Sequence, residues 1–176
     1  MERKHGAWTI RATEEKYRDE FIEVYQDSVT RPDGEPGTYA TVHLKPGVSV
    51  LPIDADGTIY LTRQFRYAAG AESVEAVSGG IEGEEPSECA KRELREELGI
   101  EVDVTEADFV QAVPHAYGDE DEWVLAMGFL GRFVSGTPEP NDDVAEARWI
   151  TEDEIDDIDF AWAHDRALVD KAFRHA

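Results

Sequence analysis

Along most of the chain the apolar positions recur every second residue, the spacing of half-buried strands. AWTIRAT and EFIEVYQDSV are two such runs within residues 7–30, separated by the charged EEKYRDE, and TYATVHL is a third after the turn RPDGEPG. Together they predict a small antiparallel sheet over residues 1–45. VSVLPI and TIYLTRQF flank Asp54-Ala55-Asp56-Gly57 and predict a hairpin over 48–65. SVEAVSGG reads as a short strand ending in a glycine pair. DFVQAVPHAY and WVLAMGFLGRFV follow as strands across the acidic GDEDE, and EARWI is the last.

The period changes to four in PSECAKRELREEL, where Ala90, Leu94 and Leu98 line up as one buried stripe. Pro86 suits the first turn of this helix, Glu85 its N-cap and Gly99 its end. Thr151 and Glu154 form a capping-box pattern that predicts an acidic helix. Trp162, Leu168, Val169 and Phe173 predict a terminal helix over 162–174. The fold class is therefore α/β, more narrowly α+β: a mixed sheet with helices against it over 46–176, preceded by the small sheet.

A length of 176 residues suits one principal core. Forty acidic against seventeen basic residues give a net charge of -23. That charge repels nucleic acid and anionic membrane, so neither is an expected partner. Only five of the basic residues are lysine, and the acids are spread throughout, a balance that fits a halophilic protein as well as an ordinary acidic one. Cys89 is a lone cysteine, MERKHGAWTI lacks the apolar segment of a signal peptide, and no run reaches membrane-spanning length. These features lead to the expectation of a cytoplasmic protein.

On the central helix Glu93, Glu96 and Glu97 stand at i, i+3 and i+4, on one face. Such a face is either solvated, with Lys91, Arg92 and Arg95 relieving the crowding, or built to gather a hard divalent cation. Mg²⁺ takes oxygen ligands and joins one or two carboxylates to substrate phosphates. Gly79 and Gly80, just ahead of the helix, would let backbone approach a ligand.

Taken together, these residues resemble the Nudix box: Gly, five residues, Glu, seven residues, then Arg-Glu-aliphatic-any-Glu-Glu-any-Gly-aliphatic. Arg92, Glu93, Leu94, Glu96, Glu97, Gly99 and Ile100 fill its second half, with Glu84 seven residues ahead. In the first half Ser78 stands where the leading glycine belongs. Either the leading glycine is lost or the loop is one residue short, and the run Gly79-Gly80-Ile81-Glu82 favours a one-residue deletion in the turn before Glu84. Beyond the box, Arg63-Gln64-Phe65-Arg66 and Glu75 resemble the ADP-ribose pyrophosphatase branch, although Ala76-Val77-Ser78 replaces its Leu-Pro-Ala. Pro114 sits near that branch's marker position and Tyr117 near that of dinucleoside polyphosphate hydrolases.

The resemblance implies a Nudix fold and hydrolysis of a nucleotide pyrophosphate, ADP-ribose to AMP and ribose 5-phosphate first. The alternatives are a dinucleoside polyphosphate or nucleoside triphosphate hydrolase, and a non-catalytic nucleotide-binding module. Glu93, Glu96 and Glu97 would be the metal and catalytic carboxylates, for Mg²⁺ with Mn²⁺ as the alternative. Arg92 would pair with Glu84. Arg66, Glu75, Gly79 and Gly80 would form the substrate side, with Arg66 on a phosphate. The base would be an acid after the box, among Glu120, Glu122, Asp143 and Glu146, of which Glu146 is taken first. Trp8, Tyr25 and Trp123 are candidates for an adenine slot, and His115 for a lesser substrate role. A homodimer formed through residues 1–45 is expected, with a small-molecule nucleotide as the ligand.

Overall fold

The structure is a computed structural model that describes residues 2–67, 70–117, 122–141, 144–160 and 162–175. The chain divides into two compact units, Met1–Lys45 and Pro46–Ala176. The first is a four-stranded antiparallel sheet in the order β1 (Arg3–His5), β2 (Trp8–Arg18), β3 (Ile22–Thr30) and β4 (Pro36–Leu44). The charged EEKYR, expected to separate two strands, belongs to β2 itself. Its backbone is laddered to β3, with Glu15 opposite Tyr25, and Arg18 pairs with Glu15 and Glu23 while donating to the Tyr25 hydroxyl at 2.7 Å. Cross-strand pairing of this kind stabilises an extended segment whatever its polarity.

In the second unit β5 (Gly47–Ile53), β6 (Ile59–Arg66), β7 (Ala71–Glu75) and β8 (Val77–Gly80) precede α1 (Pro86–Leu98). β9 (Glu101–Asp103), β10 (Phe109–Tyr117), β11 (Glu122–Ser135), β12 (Val144–Ile150) and α2 (Ala163–His175) complete it. The sheet runs β10-β11-β5-β6-β12, with β11 and β5 parallel and the other pairs antiparallel. It is the mixed sheet that the sequence implies.

The hairpin over 48–65 is open. β5 and β6 pair only at Ile53 and Ile59; beyond that point β8 continues the ladder on β5 and β7 continues it on β6. SVEAVSGG is accordingly two strands that change partner at Ala76. Alternation marks these residues as extended but carries no information about which neighbour supplies the hydrogen bonds.

The two helices cover opposite faces. Val50, Tyr60 and Val77 pack with Ala90, Leu94 and Leu98 of α1, whereas Leu51, Leu61 and Ile150 pack with Leu168, Val169 and Ala172 of α2. α1 begins at Pro86 and stops at Gly99, whose φ of 65° closes the helix with its N–H on the Arg95 carbonyl. The Thr151–Glu154 capping box is present but opens only a 3₁₀ turn, Glu152–Asp157. The chain beyond is drawn out beside β7, where Phe160 bridges Val74, before α2 starts.

Candidate active site

Each basic residue of α1 finds acid partners, and Arg92 is the one directed to the glutamate face. Lys91 pairs with Glu88, and Arg95 makes a two-pronged pair with Glu101 at 2.7 and 2.9 Å. Arg92 Nη1 lies 2.7 Å from Glu93 Oε1 and 3.0 Å from Glu96 Oε2. Its Nη2 donates to Glu84 Oε1 at 2.9 Å and to the Gly80 carbonyl at 2.8 Å. One guanidinium thus ties the helix face to the loop ahead of it.

A carboxylate of that loop, Glu84, closes it. Glu84 Oε2 accepts the Glu82 N–H at 2.9 Å while Oε1 holds Arg92. Gly83 takes the left-handed φ of 107° that the tight turn needs. Glu84 is held down to about pKa 2 by its own backbone N–H, by Arg92 and by the Glu82 N–H. Its place as a structural anchor follows from these bonds.

Glu93 and Glu97 are 8% exposed, whereas the Glu96 side chain is 60% exposed. Burial pushes the Glu93 carboxyl above its ordinary pKa, and Arg92 works against that rise. Gly79 explains how Glu93 fits: a Cβ there would stand 1.8 Å from Glu93 Cδ and 2.0 Å from its Oε1. The carboxyl occupies the space of the missing side chain. Cys89 lies beside this contact, its thiol 3.4 Å from the Gly80 carbonyl, and burial pushes it up to about 12. It is therefore a packing residue, not a nucleophile.

Among the described residues the acids do not converge into a ready-made cage of three or more ligands. Arg92 stands between Glu93 and Glu96 instead. The donor set is nevertheless all oxygen and sparse, which fits Mg²⁺ or Mn²⁺, ions that take part of their coordination from water and phosphate. The carboxyl cradle at Gly79 supplies the close backbone approach that such a site uses.

Across β6 and β7, Arg66 Nε donates to Glu75 Oε1 at 2.9 Å, and Glu75 is 1% exposed. Trp162 Nε1 donates to the other oxygen, Glu75 Oε2, at 3.2 Å.

Asp165, in the first turn of α2, is 1% exposed and reaches a pKa of about 7. Burial is the main cause and the Glu75 charge adds to it, while the Ala76 N–H and Arg66 offset part. The folded pKa lies above the unfolded 3.8, so the native chain binds the extra proton between about pH 4 and 7. Stability from this group falls as pH rises through that window and is flat above it. Asp165→Asn is expected to be the more stable protein at pH 8, by up to about 4 kcal/mol, with the difference vanishing near pH 4. Urea unfolding of both proteins across that range measures it.

The structure places Glu146 in an ion-pair cluster on β12. This residue is ion-paired with Arg63 at 2.7 Å, and Arg63 also pairs with Glu72. Glu146 shares a face of β12 with Ile150, the face covered by α2, while Ala147 and Trp149 face α1. After the bulge between Val144 and Glu146 the alternation turns this carboxylate away from Glu93. Glu120 and Asp143 lie outside the described residues. Pro114, His115, Tyr117, Glu122 and Trp123 are placed by strand register alone, with Tyr117 opposite Glu122. Trp8 packs edge-on against Tyr39 and Tyr25 lies against His43, both within the first unit. Sequence reasoning did not single out Asp165, and assigned Trp162 only to helix packing. Buried polar contacts between β7 and α2, far apart in sequence, leave no periodic signal.

Comparison with known proteins adds to this geometry. Residues 43–171 match the NUDIX domain family model, and residues 8–42 match the model described as the nucleoside diphosphate sugar hydrolase N-terminal domain. An ADP-ribose pyrophosphatase of Bacillus subtilis is 31% identical over 65% of this chain. An NAD-capped RNA hydrolase NudC of Pseudomonas aeruginosa is 30% identical over 76% of it. The matched stretches span 66% and 46% of those relatives' own lengths. A crystal structure titled ADP compounds hydrolase has the same fold, with a TM-score of 0.66 at 19% identity, covering 96% of this chain and 92% of that one.

Proposed function

The chain belongs to the Nudix family, whose model spans most of its length, and from that premise we propose that it is a metal-dependent pyrophosphohydrolase of nucleoside diphosphosugars, with ADP-ribose as substrate. The seating of the Glu93 carboxyl in the space left by Gly79 carries this reading, since it fixes a box carboxylate against the loop backbone. The nucleoside diphosphate sugar hydrolase match over 8–42 and the ADP-ribose pyrophosphatase relative favour a diphosphosugar.

In this proposal Glu93, Glu96 and Glu97 hold Mg²⁺ or Mn²⁺. A bound ion of this kind neutralises charge on the pyrophosphate and acidifies a water. Arg92 and Glu84 keep the loop of Gly79 and Gly80 against α1 so that substrate meets a preformed surface. Arg66, anchored by Glu75, pairs with a phosphate oxygen. The proton of the attacking water passes to an acid of a later loop. The Asn141 N–H donates to the Glu97 carbonyl at 2.9 Å, which ties the described segment ahead of β12 to α1. A homodimer is part of the same proposal, supported by the exposed Tyr17, Phe21, Tyr39 and Leu44 of the first unit.

The test is a panel of ADP-ribose, NADH, nucleotide sugars, diadenosine polyphosphates and NAD-capped RNA, run with Mg²⁺ at low and molar KCl, with light scattering on the same samples. ADP-ribose is expected to be cleaved best, by a dimer, with turnover sustained at molar salt and absent in EDTA. Preferential cleavage of a diadenosine polyphosphate would transfer the assignment to that class. Binding without cleavage under every condition would leave a nucleotide-binding module.

A further inference from the structure

Two buried carboxylates stand behind the proposed phosphate contact, and one of them belongs to α2. Glu75 has both oxygens engaged: Oε1 accepts from Arg66 and Oε2 from the Trp162 indole. Its backbone is fixed as well, because Thr62 lies opposite it in the ladder and donates its hydroxyl to the Glu75 carbonyl at 3.3 Å. Trp162 is equally constrained. Its carbonyl accepts the Asp165 N–H at 3.1 Å, making it the residue on which α2 starts. The bridge from Phe160 to Val74 aligns the preceding segment with β7. On the far side Gln111 donates to the His164 carbonyl at 3.0 Å, clamping the same turn to β10.

We propose that the first turn of α2 is the positioning element for Arg66: Trp162 orients Glu75, Glu75 orients the guanidinium, and Asp165 sets the charge behind them. This rests on the reading of Arg66 as a substrate-phosphate contact. The Arg66 side chain is 35% exposed while the Glu75 side chain is 2% exposed, so the guanidinium emerges from a buried mooring. An arginine held by Nε presents a fixed fork, which is the geometry that phosphate recognition rewards. Without the indole donor, Glu75 Oε2 would be left buried and unpaired, and the carboxylate would turn to seek another partner.

Asp165 makes the device sensitive to proton concentration. The groups facing it are Glu75 on β7, Arg66 on β6, the Ala76 N–H at the crossover, and His164 on its own helix, 3.7 Å away. With Asp165 neutral, the charge behind the guanidinium from this side is that of Glu75, which Arg66 Nε holds at 2.9 Å. When Asp165 ionises, a second buried negative charge draws Arg66 inward, away from substrate. Affinity for a polyphosphate should therefore weaken as pH rises through neutrality.

The experiment is steady-state kinetics on the best substrate of the panel, for the parent, Arg66→Ala, Trp162→Phe, the double variant and Asp165→Asn, at pH 6 and pH 8. Trp162→Phe keeps an aromatic ring, smaller than the indole, and removes the donor. It is expected to raise KM about tenfold with kcat within about twofold, the loss of one charge-assisted bond, and to add nothing when Arg66 is already alanine. The parent KM is expected to rise between pH 6 and pH 8, and Asp165→Asn to abolish that rise. If Arg66→Ala leaves KM unchanged, the phosphate-contact reading fails, and this proposal with it. If Arg66→Ala raises KM while Trp162→Phe does not, or the two effects add fully, positioning by α2 is overturned and the contact survives. A protein that neither binds nor cleaves any member of the panel overturns both.

Discussion

Glu97→Gln is expected to reduce turnover about a thousandfold with little change in the thermal midpoint. The substitution is isosteric, so the 8% exposed side chain keeps its shape and α1 keeps its packing. What is lost is one formal charge at the site proposed to hold the metal, and charge neutralisation by a metal contributes several kcal/mol to phosphoryl transfer, of which about 4 kcal/mol is a thousandfold. Steady-state rates with ADP-ribose and Mg²⁺, alongside circular dichroism melting, separate the two quantities. A rate within tenfold of the parent would remove Glu97 from the metal site. Loss of rate together with a collapsed midpoint would show that the carboxylate serves the fold.

Gly79→Ala is the second large effect, and it comes from a single methyl group. The new Cβ would fall 1.8 Å from Glu93 Cδ, 2.0 Å from Oε1 and 2.2 Å from Oε2, a distance no packing tolerates. Glu93 cannot yield freely, because Arg92 and Cys89 border it at 2.7 and 4.0 Å. Either the carboxyl leaves its seat or β8 shifts. Overpacking of this kind destabilises by about 1–3 kcal/mol, and a displacement of about 1 Å at a reacting centre lowers rate about a hundredfold. Both should appear together in the melting temperature and the kcat. An alanine variant with parental activity would mean that Glu93 does not work from its position against Gly79.

Much of this was legible in the sequence because it was local. The limits of α1, its Pro86 start, its Gly99 stop and the common face of Glu93, Glu96 and Glu97 all follow from spacings within one helix. The pairing of Arg92 with Glu84 could be expected from the box pattern, and the structure shows it at 2.9 Å. The mismatch at Ser78 left the loop geometry open, since spacing along the chain does not show that the Glu84 carboxylate caps the turn. Longer-range partners were less readable. EEKYR carries the charge of a linker but the hydrogen bonding of a strand, and the 48–65 hairpin is split by β7 and β8, which arrive later in the chain. Glu146 was chosen for its place after the box; a β-bulge, invisible to composition, decides which face it occupies. Trp162 and Asp165 meet Glu75 across about ninety residues of chain, a separation at which sequence periodicity carries no information.

The contact of Arg92 with both Glu93 and Glu96 has a thermodynamic side. At the proposed metal site, a guanidinium already lodged between two acids would turn cation uptake into an exchange, in which the incoming ion displaces a tethered, permanently charged competitor that never diffuses away. Apparent affinity for the ion is lowered by the strength of that internal contact. In return, part of the charge of the acidic face would stay compensated when the ion departs. If Glu93, Glu96 and Glu97 hold a metal as proposed, the chain could lose and regain it as ambient concentrations rise and fall while the fold around the site persists.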